Sequence, residues 1–219
     1  MLKRINLKQD FFNFMEEWDD DSKPTTAAAT SEDDGLSIFL SDRPRFKLYS
    51  AGRHLSNLKS LEQKYHSIVA IQAKMQTEME IDGFLAQIIG AVDSLLVQIN
   101  EKFDLGLDTN QADFERVQSG LSSRTKKIDL LGELDAARRY GNWYWQIVEL
   151  ANYSLHGSLM SKSAISQSSS GVRFRKDPRN PTLSPPMDLD VLSYLQQCLS
   201  KTEELIERIR SKESELRRP

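Results

Sequence analysis

Residues 84–100 place Phe84, Leu85, Ile88, Ile89, Ala91, Val92, Leu95, Leu96, Val97 and Ile99 around most of the circumference of a helix. A helix apolar on nearly every side is stable only when other helices enclose it. The segment therefore predicts the centre of an all-α bundle. Its few polar groups, Asp93, Gln98 and Asn100, must find hydrogen-bond partners, most simply in a structural network. Gly83, just before the run, is expected to loosen the chain.

The flanking segments supply the enclosing helices. From residue 46 to about 79, Leu48, Ala51, Leu55, Leu58, Leu61, Tyr65, Ile68, Met75 and Met79 recur mainly at spacings of three and four, which predicts one long amphipathic helix. Thr109 or Asn110 can cap a shorter helix carrying Phe114, Val117 and Leu121. Residues 130–159 read as a further helix, with Leu134, Ala137, Tyr140, Trp143, Ile147, Leu150 and Ser154 on one stripe and Tyr144, Val148, Ala151 and Leu155 beside it. Trp145, Glu149, Asn152 and His156 share a third face. After Pro185 and Pro186, with Asp188 or Asp190 as cap, Leu192, Leu195, Leu199, Thr202, Ile206 and Ile209 form the stripe of a closing helix. The expectation is an antiparallel bundle of four or five helices crossing at about 20°.

Two regions fall outside that pattern. Residues 1–45 read as a short N-terminal helix, with Ile5, Phe11, Phe12, Met15 and Trp18 close together, followed by an acidic disordered linker. The helix could dock on the bundle or on a partner protein. Residues 161–188, inside a bundle domain spanning 46–212, form a long loop or flap rich in serine and proline, where Val172, Arg173, Phe174 and Arg175 suggest a small hairpin or an extended piece.

Composition excludes several function classes. No run approaches the roughly 18 apolar residues of a membrane span, and the first residues lack a secretory pattern, so no membrane association and a cytoplasmic location are expected. The net charge of −3 gives no general basic field, so any nucleic-acid surface must be local. With one cysteine and three scattered histidines (His54, His66, His156), a metal site is not expected. Cys198 lies in an apolar stripe and reads as core filler. Phosphate loops, paired catalytic carboxylates and nucleophile motifs are absent, and no cofactor is implied.

The residues with chemical potential sit at the end of the Trp-rich helix. Asn152 and His156 are four apart and project from one side, with Glu149 one turn back. An imidazole there can move protons in phosphodiester chemistry, and an asparagine can hold a phosphate or ribose oxygen. The plainer reading is a histidine favoured by the helix dipole just before Gly157. The flap residues Arg173, Phe174, Arg175 and Lys176 interleave a ring with cations, as single-stranded nucleic acid requires.

The central helix, the Trp-rich helix ending in Asn152 and His156, the loop and the final amphipathic helix together resemble the HEPN superfamily. The likeness spans residues 46–212 in layout and two short segments in detail. It implies a helical bundle that forms homodimers, often a metal-independent ribonuclease, with a signature Arg-x4-His motif whose arginine is followed by a polar residue such as asparagine. Asn152 and His156 match the polar and histidine positions, while Ala151 stands in place of the arginine, so the motif is degenerate. Arg139 lies 17 residues before His156. On one continuous helix that is about 25 Å, too far to substitute. Arg173 or Arg175 from the flap is the available replacement. The reading is a binding or regulatory protein for RNA or nucleotides, of the bacterial stress or toxin–antitoxin kind. The alternatives are an active ribonuclease using His156 and a helical scaffold for a partner protein.

Overall fold

The computed structural model describes residues 41–64, 71–124, 129–156, 165–168, 171–174 and 189–216. The expected N-terminal helix, nearly all of the acidic linker, and flap residues Arg175 and Lys176 lie outside them. The architecture is an all-α bundle. Its helices are α1 (Arg43–Lys64), α2 (Ile71–Lys102), α3 (Phe114–Arg124), α4 (Gly132–Arg138), α5 (Trp143–His156) and α6 (Val191–Leu216). Three short strands, β1 (Ile165–Ser168), β2 (Gly171–Phe174) and β3 (Leu189–Asp190), form a small antiparallel sheet in the order β1-β2-β3, packed on α6 through β2 and β3. The hairpin suggested by residues 172–174 therefore forms, pairing Arg173 with Ser166 and Phe174 with Ile165.

Helix α2 occupies the centre, packing against α1, α3, α5 and α6. Ile81, Phe84, Leu85, Ile88, Ala91, Val92, Leu95, Leu96 and Ile99 are buried, and each large apolar side chain contributes about 1.5–3 kcal/mol relative to exposure. Only a narrow strip containing Asp82, Ala86 and Asp93 stays open. Two of the three polar groups expected to need partners have them, while Asp93 lies on the open strip. Asn100 donates from Nδ2 to Leu107 O at 2.8 Å and accepts from Leu107 N at 3.1 Å, while Gln98 Oε1 accepts from Arg210 at 3.3 Å.

Three sequence expectations need correction. The single helix over residues 46–79 is two helices, because the chain reverses between α1 and α2. Met75 and Met79, expected in its core stripe, are 58% and 68% exposed. They lie at helical spacing on the same open strip of α2 as Asp82 and Asp93. Gly83 loosens nothing, since α2 runs straight through it. The glycine instead admits the His54 ring of α1, which an added Cβ would strike at Cε1. Finally, the helix over residues 130–159 is broken into α4 and α5, and Tyr140, placed on its buried stripe, is 76% exposed.

The caps follow helix electrostatics. Asp113, rather than Thr109 or Asn110, caps α3 by accepting from Arg116 N at 2.9 Å, because Thr109–Gln111 forms a 3-10 turn of its own. Asp190 caps α6 by accepting from Ser193 N at 2.7 Å, as expected. On α6, Leu195, Cys198, Leu199, Thr202, Ile206 and Ile209 are buried. Its last turns are tied by charge: Arg210 to Asp42 at 3.1 Å, Lys102 to Glu213 at 2.9 Å and Lys212 to Glu133 at 2.9 Å.

Candidate functional site

The turn that ends α4 sets the direction of α5. Asn142 N donates to Arg139 O at 3.0 Å and Gly141 has φ +82°, the signature of a type II turn with its glycine at the third position. The Gln146 side chain fixes it further, donating to Gly141 O at 2.8 Å. From there α5 turns Tyr144, Ile147, Leu150 and Ala151 to the core, while Trp145 and Glu149 are half-buried and Asn152 is exposed.

Helices α2 and α5 run antiparallel. Tyr144 lies beside Asp93, and the Ser154 hydroxyl donates to Asp82 Oδ1. Burial and the Asp93 charge push the Tyr144 phenol well above its ordinary range. Partial burial also pushes the Asp93 carboxyl up, with Arg138 pulling against it.

This register sets the C-terminal end of α5 level with the start of Asp82's turn on α2, and a second polar group lies on α2's other flank. His54 Nδ1 and Glu80 Oε2 share a hydrogen bond of 2.8 Å, and Asn57 Nδ2 donates to both Glu80 oxygens at 3.2 Å. A carboxylate on Nδ1 fixes the imidazole's orientation and tautomer, leaving Nε2 on the far side of the ring. Sequence reading missed this cluster. The one available signal was that positions 54 and 80 become neighbours if the chain reverses midway between them, and the unbroken spacing of threes and fours hid that reversal.

The expected site residues are only partly brought together. Asn152 and His156 are one turn apart on α5, with Asn152 in solvent. Arg173 and Phe174 lie in β2, opposite Asp190 and Leu189 of β3. Ala151, next to Asn152, is packed at 5% exposure. The break between α4 and α5 removes the straight-helix distance that set Arg139 aside, and it and its neighbour Arg138 each have a local partner. Arg138 lies 4.1 Å over the Phe114 ring and pairs with Glu115 at 2.8 Å, and Arg139 pairs with Asp135 at 2.8 Å. Among the described residues, no group of three or more His, Cys, Asp or Glu side chains is placed to hold a metal, and no helix is long and apolar enough to cross a membrane.

No family model matches the chain, and neither the curated proteins nor the solved structures give a match.

Proposed function

We propose that this chain is a HEPN-like bundle acting, as a homodimer, as a binding or regulatory module for RNA or nucleotides in a bacterial stress or defence system of the toxin–antitoxin kind, with weak or absent nuclease activity. The observation that carries the reading is Ala151, buried against the core in the place the motif reserves for arginine. A guanidinium there would have to give up most of its water, which is strongly unfavourable unless an opposite charge pairs with it. In HEPN ribonucleases that arginine would offset charge building on phosphorus, and such electrostatic stabilisation is usually the largest catalytic contribution. Helix α5 offers no cation in its stead. What remains is a polar helix end, Asn152 followed by His156, suited to holding a phosphate or ribose oxygen without cleaving the chain.

The test is to incubate the purified full chain with single-stranded RNA, following cleavage on gels and binding by fluorescence anisotropy. Binding without cleavage is expected, and Asn152→Ala and His156→Ala should each weaken it by about tenfold, the worth of a hydrogen bond to a charged group. Cleavage by the native chain that His156→Ala abolishes would replace this reading with an active metal-independent ribonuclease. Absence of both binding and cleavage would sink both.

A further inference from the structure

The turn between α4 and α5 displays an aromatic pair on the surface of the bundle. Tyr140 occupies the second position of the type II turn, where the backbone asks only for a φ near −60° and where proline is common. Its side chain is nevertheless a large ring, 76% exposed. It rests against Trp145, one turn into α5, with ring centroids 4.6 Å apart and planes tilted by 48°. The backbone beneath is held by the Asn142 and Gln146 hydrogen bonds described above. Beside them Arg139 is 71% exposed, and its link to Asp135 is an i,i+4 surface pair. Pairs of that kind are weak enough to yield to a competing anion.

We infer that Tyr140 and Trp145 form a stacking platform for a base of single-stranded RNA, with Arg139 placed for the adjoining phosphate. The inference rests on the RNA-binding reading above and gives it a location that the flap residues do not. Trp145 and Asn152 lean to the same outward side of α5, seven residues and about 10 Å apart, so a short oligonucleotide stacked on the rings passes Asn152. A protein partner fits the surface less well. A stable protein interface needs roughly 800 Å² per side around an apolar centre, whereas the chain neighbours of these rings include the polar Arg139, Asn142 and, one turn along α5, Glu149. A flat base needs one ring face and one cation, and both are present.

The experiment titrates fluorescein-labelled oligouridylate and oligoadenylate octamers with the full chain, its Tyr140→Ala and Trp145→Leu variants, and the conservative Tyr140→Phe. Circular dichroism melts show whether each variant is folded. Tyr140→Ala should lose about 5- to 100-fold in affinity with an unchanged melt, Trp145→Leu should lose a comparable factor, and Tyr140→Phe should stay close to native. Duplex RNA and an abasic octamer should bind the native chain no better than they bind Tyr140→Ala. If native protein binds the octamers and Tyr140→Ala binds them equally well, the platform is refuted while the RNA reading stands. If native protein binds no RNA, both fall. Unchanged RNA affinity with altered oligomeric mass would assign the rings to a protein contact and overturn the inference.

Discussion

His54 and Gly83 make one contact between two helices, and each explains the other. Glycine inside a helix is about 1 kcal/mol less favourable than alanine, so an interior position that keeps it needs a compensating contact. Here the compensation is the imidazole lying on the α2 backbone, held by Glu80 at 2.8 Å. Gly83→Ala gains helix propensity but drives a methyl into the ring, and overpacking of this kind outweighs the gain. We expect a net loss of about 1–2 kcal/mol in chemical denaturation. Adding His54→Ala to Gly83→Ala should recover much of that loss, because the alanine then keeps its propensity benefit without the clash; a double variant less stable than Gly83→Ala alone would refute the account. A second residue-scale expectation concerns Cys198, whose burial pushes its thiol up to about 12. At neutral pH it should react with a thiol reagent at the rate of global unfolding and quickly only in denaturant. Cys198 was legible as core filler because its stripe was long. The His54–Gly83 contact was not, because it joins residues whose proximity depends on a chain reversal.

At the scale of elements, spacing shows which residues share a face but not which way the chain then runs. The buried faces of α3, α6 and the part of α2 from Phe84 onward were legible because each lies along one unbroken helix. Residues 46–79 and 130–159 were misread as single helices because apolar positions before and after each break continued the same count. In the second case Gly141 was the available signal, and its φ of +82° is what turns the chain. The loop after α2 shows how an irregular connection is held without a strand or a disulfide. Asn100, 6% exposed, uses both ends of its amide on the backbone of Leu107. Asn100→Ala leaves the partly buried carbonyl and amide of Leu107 without those bonds and should lower stability by about 1–2 kcal/mol. Hydrogen exchange at the Leu107 amide should accelerate more than that of Ile99, and equal acceleration of the two would mean that Asn100 supports the bundle rather than the loop.

Over the whole molecule, apolar α2 fixes the architecture and charges on the last turns of α6 lock its ends to α1, α2 and α4. The all-α bundle was legible from composition and periodicity. Trp145, Glu149 and Asn152 were legible as one outward helix face, whereas Tyr140, His54 and Glu80 take places that depend on where the chain changes direction, which periodicity does not register. The charged locks pull in opposite directions with pH. Lys212 bonds Glu133 and, with Arg208, holds its carboxyl below the ordinary 4.5, so this tie stabilises the fold above that pH and is lost as pH falls through the lowered value. Glu203 is the reverse case: burial, then the nearby Glu207 charge, raises its carboxyl against the pull of Arg45. A raised carboxyl penalises the fold above its folded-state pKa, and the penalty vanishes as pH falls below the unfolded value. Glu203→Gln should therefore stabilise the protein at pH 7 by about 0.5 kcal/mol after solvent screening, or about 1–2 °C in Tm. Glu133→Gln should destabilise it at the same pH. Melts of both variants from pH 7 to pH 3 should converge on the native curve from opposite sides, and two variants shifting the same way at pH 7 would show that hydrogen bonding, not charge, sets the worth of these positions.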